Sequence, residues 1–191
     1  MAIVIAVAVS VAFGAGCRSR DKTAVSLGEL PSFTLVDQHG VPFSSAKMVG
    51  KIWVIDFIFT SCPTICPKLT DKMKQLAAEV SRPDGSVQFL SISVDPEHDT
   101  PQVLSEYTKK RGAVRDNWTF LTGDSDAIRK AVVEGFKFAL GERSARDDGR
   151  YDIMHASHFV LVNGDGEIRG YFRPDGEGLY ALRQAISKLL D

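Results

Sequence analysis

The feature that most constrains the fold is an apolar run that ends at a pair of cysteines. Residues 52–59 (IWVIDFIF) are mostly β-branched or aromatic, a pattern typical of a central strand buried on both faces of a sheet. The run stops at Thr60, and from Leu69 to Val80 apolar residues recur every three or four positions, which predicts an amphipathic helix. Cys62 therefore lies between a buried strand and the start of a helix.

Strands and helices alternate along the rest of the chain. The patterns predict strands at 87–94, 118–121, 159–162 and 167–172 and helices at 100–111, 124–134 and 178–190. The charged stretch at 141–150 has no apolar period and is predicted to be a solvated loop. This order indicates an α/β fold with helices on both faces of a mixed sheet. Sites in such sheets form beyond the carboxyl ends of the strands, which is where Cys62 lies.

The first residues of the chain differ from the rest. Residues 1–16 carry no charged side chain, and a polar stretch follows Cys17. The run is short for a membrane-spanning helix and suits a secretory signal. Because GAGC at 14–17 resembles a bacterial lipobox, we expect a signal peptide over 1–17 that ends at a lipidated Cys17. An uncleaved anchor is the alternative, and both predict an exported protein held at the periplasmic or outer face of the inner membrane.

A polar linker is predicted over 18–29 and a folded domain over 30–191. The chain is 44% hydrophobic and 25% charged, with a formal net charge of -1. This balance gives no electrostatic reason to expect a nucleic-acid partner.

Cys62 and Cys66 have the spacing C-x-x-x-C, with a proline after each cysteine. On one turn of helix their Cβ atoms would lie about 5–6 Å apart. Two thiolates at that distance bind a soft metal ion such as Cu(I), or Zn, or close a disulfide. A helix N-terminus lowers the pKa of a cysteine. A structural disulfide is the alternative, although so short a loop stabilises little.

Two thiolates leave a copper site short of a ligand, and the chain has four histidines. His39 belongs to a turn after a short strand, where we expect it to be exposed. His98 follows the 87–94 strand and is a further candidate. His155 and His158 flank the start of the last hairpin, and on a strand they would face opposite sides, so at most one points at the cysteines. Met154 is either a soft ligand or an apolar filler.

Two motifs in this order closely resemble the Sco/SenC proteins, which are copper chaperones for cytochrome c oxidase assembly. The motifs are residues 57–67 (FIFTSCPTICP) and 93–101 (SVDPEHDTP), and the resemblance runs from about residue 30 to the C-terminus. It implies a thioredoxin-like, peroxiredoxin-related fold. It also implies that one copper ion binds to Cys62, Cys66 and a histidine, for delivery to the CuA centre of an oxidase subunit.

The family's histidine ligand precedes a strand and an acidic glycine turn. Counting back from residues 164–166 (GDG) places His155 at that position, with His158 as the second choice. Family members often carry Ser or Thr after this histidine, where this chain has Ala156. Asp95 matches the family's acidic loop residue and either orients the site or is a turn carboxylate.

Three other functions compete with copper delivery. A thiol–disulfide oxidoreductase would use the same cysteines to reduce an oxidase subunit or another exported target, and would need no histidine. A peroxidase would share the fold, but Thr60 is one residue too close to Cys62 for the Thr-x-x-Cys pattern. A structural zinc site ordinarily has a fourth protein ligand, which is not evident in the sequence.

Overall fold

The structure is a computed structural model that describes residues 25–191. The predictions for the signal peptide, for Cys17 and for linker residues 18–24 lie outside the described residues. The strands are β1 (Thr34–Asp37), β2 (Pro42–Ser44), β3 (Ile52–Ile58), β4 (Val87–Ser93), β5 (Trp118–Thr122), β6 (Arg143–Ala145), β7 (Tyr151–Ile153), β8 (Phe159–Val162) and β9 (Ile168–Phe172). The helices are α1 (Ile65–Val80), α2 (Pro101–Arg111), α3 (Ser125–Arg129) and α4 (Gly176–Leu190).

Strand β3 lies inside a mixed seven-stranded sheet with the order β2-β1-β5-β4-β3-β8-β9. Strands β3, β4 and β5 run parallel, and the flanking strands pair antiparallel to their neighbours. All seven residues of β3 are buried, as the apolar run predicts for a strand covered on both faces.

Helices cover both faces of this sheet. Helix α1 contacts both α2 and α4, so these three share one face. On the opposite face, Phe136 and Phe138 pack edge-on against Phe57, with ring centroids 5.3 and 5.5 Å away. This arrangement confirms the predicted α/β fold with helices on both faces of a mixed sheet.

Helix α2 begins where the sequence predicts. The Thr100 side chain accepts a hydrogen bond from the Val103 N–H at 3.3 Å, and Pro101 occupies the first helical position. The predicted helix at 124–134 differs in its second half, because α3 continues as a π-helix over Lys130–Gly135. Within residues 25–191 no helix is long and apolar enough to cross a membrane.

The prediction of a loop at 141–150 is wrong in part, because β6 lies within it. Strands β6 and β7 form an antiparallel two-stranded sheet of their own, and all three residues of β6 are exposed. With solvent around β6, no apolar alternation is required. The hairpin therefore left no hydrophobic pattern in the sequence.

Residues 27–29 were predicted to belong to the linker. They run along the edge of the sheet, where the Leu27 N–H donates to the Ile168 carbonyl at 2.9 Å. The Ile168 N–H donates in turn to the Gly28 carbonyl at 2.8 Å. The chain thus joins the sheet beside β9, near the turn between β8 and β9.

Candidate metal and thiol site

The two cysteines lie beyond the carboxyl end of β3, at the start of α1. Cys66 is the second residue of α1 and is fully buried, and Cys62 is 6% exposed. The Thr64 side chain makes no capping hydrogen bond, and the Cys66 N–H donates instead to Cys62 Sγ at 3.5 Å. The sulfur of Cys62 thus occupies the position of an anion at a helix N-terminus. Both cysteines are free thiols in the structure.

The surroundings of the two thiols shift their pKa values in opposite directions. The pKa of Cys62 is lowered to about 5, chiefly because the Cys66 thiol donates to it and also because backbone N–H groups of residues 64–66 point at it. The pKa of Cys66 is raised by that same hydrogen bond and by burial. Cys62 is therefore the first thiol to ionise. A metal ion held by both sulfurs would favour the second ionisation, because its positive charge would stabilise the Cys66 thiolate.

His155 is the histidine that the structure brings to the cysteines. Its Nε2 lies 3.5 Å from Cys66 Sγ, and its ring meets the ring of Phe59 edge-on at 5.6 Å between centroids. Its Nδ1 lies 2.8 Å from the Ala156 carbonyl oxygen, which can only accept, so Nδ1 carries the proton. The lone pair of Nε2 then faces the sulfur, in the tautomer that metal-ligating histidines adopt.

Burial lowers the pKa of His155, which keeps the imidazole neutral. The backbone carbonyl of Ala156 makes the hydrogen bond that a Ser or Thr side chain would otherwise be expected to supply. The alanine at this position therefore leaves the ring orientation fixed.

The other histidines lie elsewhere. The ring of His158 stacks on Phe138 at 6.1 Å between centroids. His98 is exposed, and its Nδ1 lies 3.0 Å from Asp99 and 3.4 Å from Thr60 Oγ1. His39 is exposed in the predicted turn, where its N–H donates to Asp37 Oδ1. His155 and His158 lie in the segment between β7 and β8 rather than on a strand, so strand alternation does not decide their directions.

Met154 precedes His155 in this segment. Met154 is 63% exposed, so the structure contradicts the apolar filler, the second of the two interpretations given above. The Gly141 N–H donates to the Met154 carbonyl at 2.8 Å, which ties the segment to the chain that precedes β6.

Asp95 lies in the loop after β4, at the same edge of the sheet as the cysteines. Its carboxylate is buried and accepts hydrogen bonds from the Arg143 guanidinium and the Tyr151 hydroxyl. The oxygen of Tyr151 also lies 2.6 Å from Ser61 Oγ, next to Cys62. Asp95 thus contacts, through Tyr151, the loop of residues 59–64 between β3 and α1, which contains Cys62 and is called the cysteine loop below. Sequence reasoning missed Tyr151 and Arg143, because neither belongs to a recognisable motif.

Asp99 is a second buried carboxylate at this edge that sequence reasoning left without a role. It is fully buried and accepts hydrogen bonds from the Thr60 N–H at 3.0 Å, the Thr60 hydroxyl and the Ser93 hydroxyl at 2.6 Å. Asp99 therefore fixes the backbone two residues before Cys62. The 93–101 motif contains it, so its position in that motif was the available signal.

A thioredoxin-like sheet with two thiols beyond its central strand and a neutral imidazole against one of them defines a thiol-based metal-binding or redox protein. The sequence model of the SCO1/SenC family matches residues 23–191. The SCO1 protein homolog of Bacillus subtilis (strain 168) is 36% identical over 141 residues, which are 73% of this chain and 71% of that protein. The chain belongs to the SCO1/SenC family.

Solved structures agree with this assignment. A SCO1/SenC family lipoprotein from Bacillus anthracis str. Ames has a TM-score of 0.76 at 27% identity, covering 89% of this chain and 99% of that one. BsSco, described as a Sco family cytochrome c oxidase assembly protein with a disulfide switch, has a TM-score of 0.73 at 30% identity, covering 88% and 96%. Arabidopsis thaliana ScoI with copper bound has a TM-score of 0.69 at 25% identity, covering 84% and 96%.

Proposed function

We propose that this protein is a copper chaperone that binds one copper ion through Cys62, Cys66 and His155 and delivers it to the CuA centre of a respiratory oxidase. The observation that carries the proposal is the 3.5 Å approach of His155 Nε2 to Cys66 Sγ, with Nδ1–H held by the Ala156 carbonyl. Two thiolates and a neutral imidazole are a donor set that suits copper. The copper-bound ScoI structure and the oxidase-assembly family of BsSco support the cargo and the partner.

The burial of the two cysteines determines from which side a partner could reach a bound copper ion. Cys66 is fully buried and Cys62 nearly so, while residues 64 and 65 on the outer side of the site are exposed. A copper ion held by three ligands there would retain an open side toward a partner. Transfer then proceeds by exchange of one ligand at a time, which a closed four-ligand cage would prevent.

Anaerobic titration of the reduced protein with copper, against a chromophoric chelator, tests this proposal. We expect one copper ion per chain, loss of tight binding in His155→Ala, and unchanged binding in the matched control His158→Ala. Tight binding that survives in both variants would refute the ligand set. Loss only in His158→Ala would move the ligand to His158.

A thiol–disulfide reductase is the second candidate, and the low pKa of Cys62 favours it. The Cys62 thiolate would attack a disulfide of the oxidase subunit or another exported target, and Cys66 would then release the target. The target gains two thiols, and this protein gains a Cys62–Cys66 disulfide. His155→Ala separates the two functions, since a reductase keeps its rate in this variant whereas a chaperone loses its copper.

We also propose that the protein is anchored at the membrane through a lipid on Cys17. The lipobox-like GAGC sequence and the Bacillus anthracis lipoprotein relative support this anchor. Mass spectrometry of the N-terminal peptide from membranes tests it. We expect a diacylglyceryl adduct that is absent from Cys17→Ser, and an unmodified or uncleaved N-terminus would contradict the anchor.

A further inference from the structure

The hairpin that precedes His155 shares no strand pairing with the seven-stranded sheet within residues 25–191, where β6 and β7 pair only with each other. His155 follows β7 in a segment without regular structure. Contacts that hold β7 against the cysteine loop therefore act on the chain two residues before His155.

Tyr151, the first residue of β7, makes the polar part of this attachment, and Ile153, which is buried in the core, makes the apolar part. Its hydroxyl oxygen lies 2.6 Å from Ser61 Oγ, and it donates to the buried carboxylate of Asp95. Its ring stacks on the buried ring of Phe59 at 6.1 Å between centroids, and the Arg143 guanidinium lies 4.5 Å from the centroid of the Tyr151 ring. One side chain thus joins the cysteine loop, the loop after β4 and the β6–β7 hairpin.

The directions of these hydrogen bonds follow from charge. Asp95 is paired with Arg143 and accepts only, so the Tyr151 hydroxyl donates to it. The oxygen of Tyr151 must then accept from the Ser61 hydroxyl. Burial and the Asp95 carboxylate raise the pKa of Tyr151, so the phenol keeps the proton that this arrangement needs. The chain of donors runs from Ser61 through Tyr151 to Asp95.

The ring of Phe59 links this chain to the imidazole. It stacks on Tyr151 and also meets His155 edge-on at 5.6 Å. Tyr151 and His155 therefore pack against the same buried ring, four residues apart in sequence. Movement of Tyr151 away from Ser61 would carry β7, and with it His155, away from Cys66.

We infer that Tyr151 is a positioning residue, whose hydroxyl holds the His155 segment against the cysteine loop and so sets how tightly copper is retained. Asp95 and Arg143 act through it, by fixing the direction of its hydroxyl proton. The inference rests on the proposed copper site and deepens it. Copper affinity would then depend on a hydrogen bond that none of the three ligands makes.

The test compares the reduced wild-type protein with Tyr151→Phe, which keeps the stacked ring and removes only the hydroxyl. Loss of an outer-shell partner typically weakens metal binding by 10–100-fold. We expect a decrease of about that size in copper affinity, a changed thiolate-to-Cu(II) charge-transfer band, and little change in thermal midpoint. Tyr180→Phe, at a 63% exposed tyrosine on α4, is the matched control and should bind copper like wild type.

A double-mutant cycle distinguishes positioning from a general loss of packing. Because Ser61 and Tyr151 share one hydrogen bond, Ser61→Ala combined with Tyr151→Phe should weaken copper binding no more than the stronger single change. Wild-type affinity and spectrum in Tyr151→Phe would overturn the inference while leaving the copper function intact, and strictly additive losses would also overturn it.

A wild-type protein that binds no copper would instead refute the proposed function. The role of Tyr151 is then decided by NMR of the metal-free protein. There the imidazole resonances of His155 should shift or broaden in Tyr151→Phe and stay unchanged in Tyr180→Phe. Unchanged resonances in both variants would overturn the inference by this route as well.

Discussion

Asp56→Asn should make the stability of this protein much less sensitive to pH. Asp56 is fully buried in β3, and its Oδ1 accepts a hydrogen bond from the Ser91 hydroxyl at 2.6 Å. Its Oδ2 has no hydrogen-bond partner within residues 25–191. Burial therefore raises the pKa of Asp56 from 3.8 to about 7, and the Ser91 bond opposes only part of that rise.

The size of the effect follows from the interval between the two pKa values. From pH 3.8 to about 7, the folded state keeps the proton of Asp56 while the unfolded state has lost it. Each pH unit in that interval lowers the free energy of unfolding by about 1.4 kcal/mol. The bound proton stabilises the folded state fully below pH 4. This stabilisation decreases as the pH rises and is lost above about pH 7. Asp56 therefore costs about 4 kcal/mol at pH 8, a large part of the stability of a typical domain.

The assay is denaturant unfolding of wild type and Asp56→Asn under reducing conditions, at several values between pH 4 and pH 8. We expect the stability difference, variant minus wild type, to grow by about 4 kcal/mol over that range. Asp116→Asn removes an exposed carboxylate and is the matched control, with a difference that stays nearly constant. A constant difference for Asp56→Asn as well would refute the argument from burial.

Two further predictions concern the loops around the cysteines. Because the pKa of Cys62 is lowered to about 5, the rate of its alkylation by iodoacetamide should reach a plateau above about pH 6, as measured by peptide mass spectrometry. Cys66 is the internal control and should react slowly. A Cys62 rate that still increases between pH 7 and 9 would contradict the prediction. Asp99→Ala should lower the free energy of unfolding by about 3 kcal/mol, since two half-buried donors of Thr60 and one buried donor of Ser93 lose their acceptor at about 1 kcal/mol each. The control is Asp116→Ala at an exposed carboxylate outside this loop, and an equal, small loss in both variants would show that Asp99 does not hold the loop.

Local patterns made much of the fold predictable from the sequence. The buried strand, the amphipathic spacing in α1 and the cap at Thr100 each depend on residues that are close together in the sequence. The helix after β5 was predicted in place, but its continuation as a π-helix was not, because the apolar spacing there does not distinguish the two forms. The β6–β7 hairpin was missed because a solvated hairpin needs no apolar alternation.

Part of the candidate site could likewise be predicted from local sequence, and part could not. The sequence by itself placed Cys62 and Cys66 at a strand-to-helix junction, because their spacing and the end of the apolar run are local. It left His155 and His158 to be distinguished by resemblance. Only the tertiary structure turned His155 toward Cys66, joined its Nδ1 to a backbone carbonyl and sent His158 to Phe138.

The tertiary structure alone also assembled the contacts around the cysteine loop. Ser61 and Tyr151 are 90 residues apart in the chain, and their hydrogen bond forms only because β7 folds over the end of β3. No periodicity or spacing records such a pair, since each side chain is ordinary in its own segment. The sequence determined where the thiols lie, and long-range packing decided which polar side chains surround them.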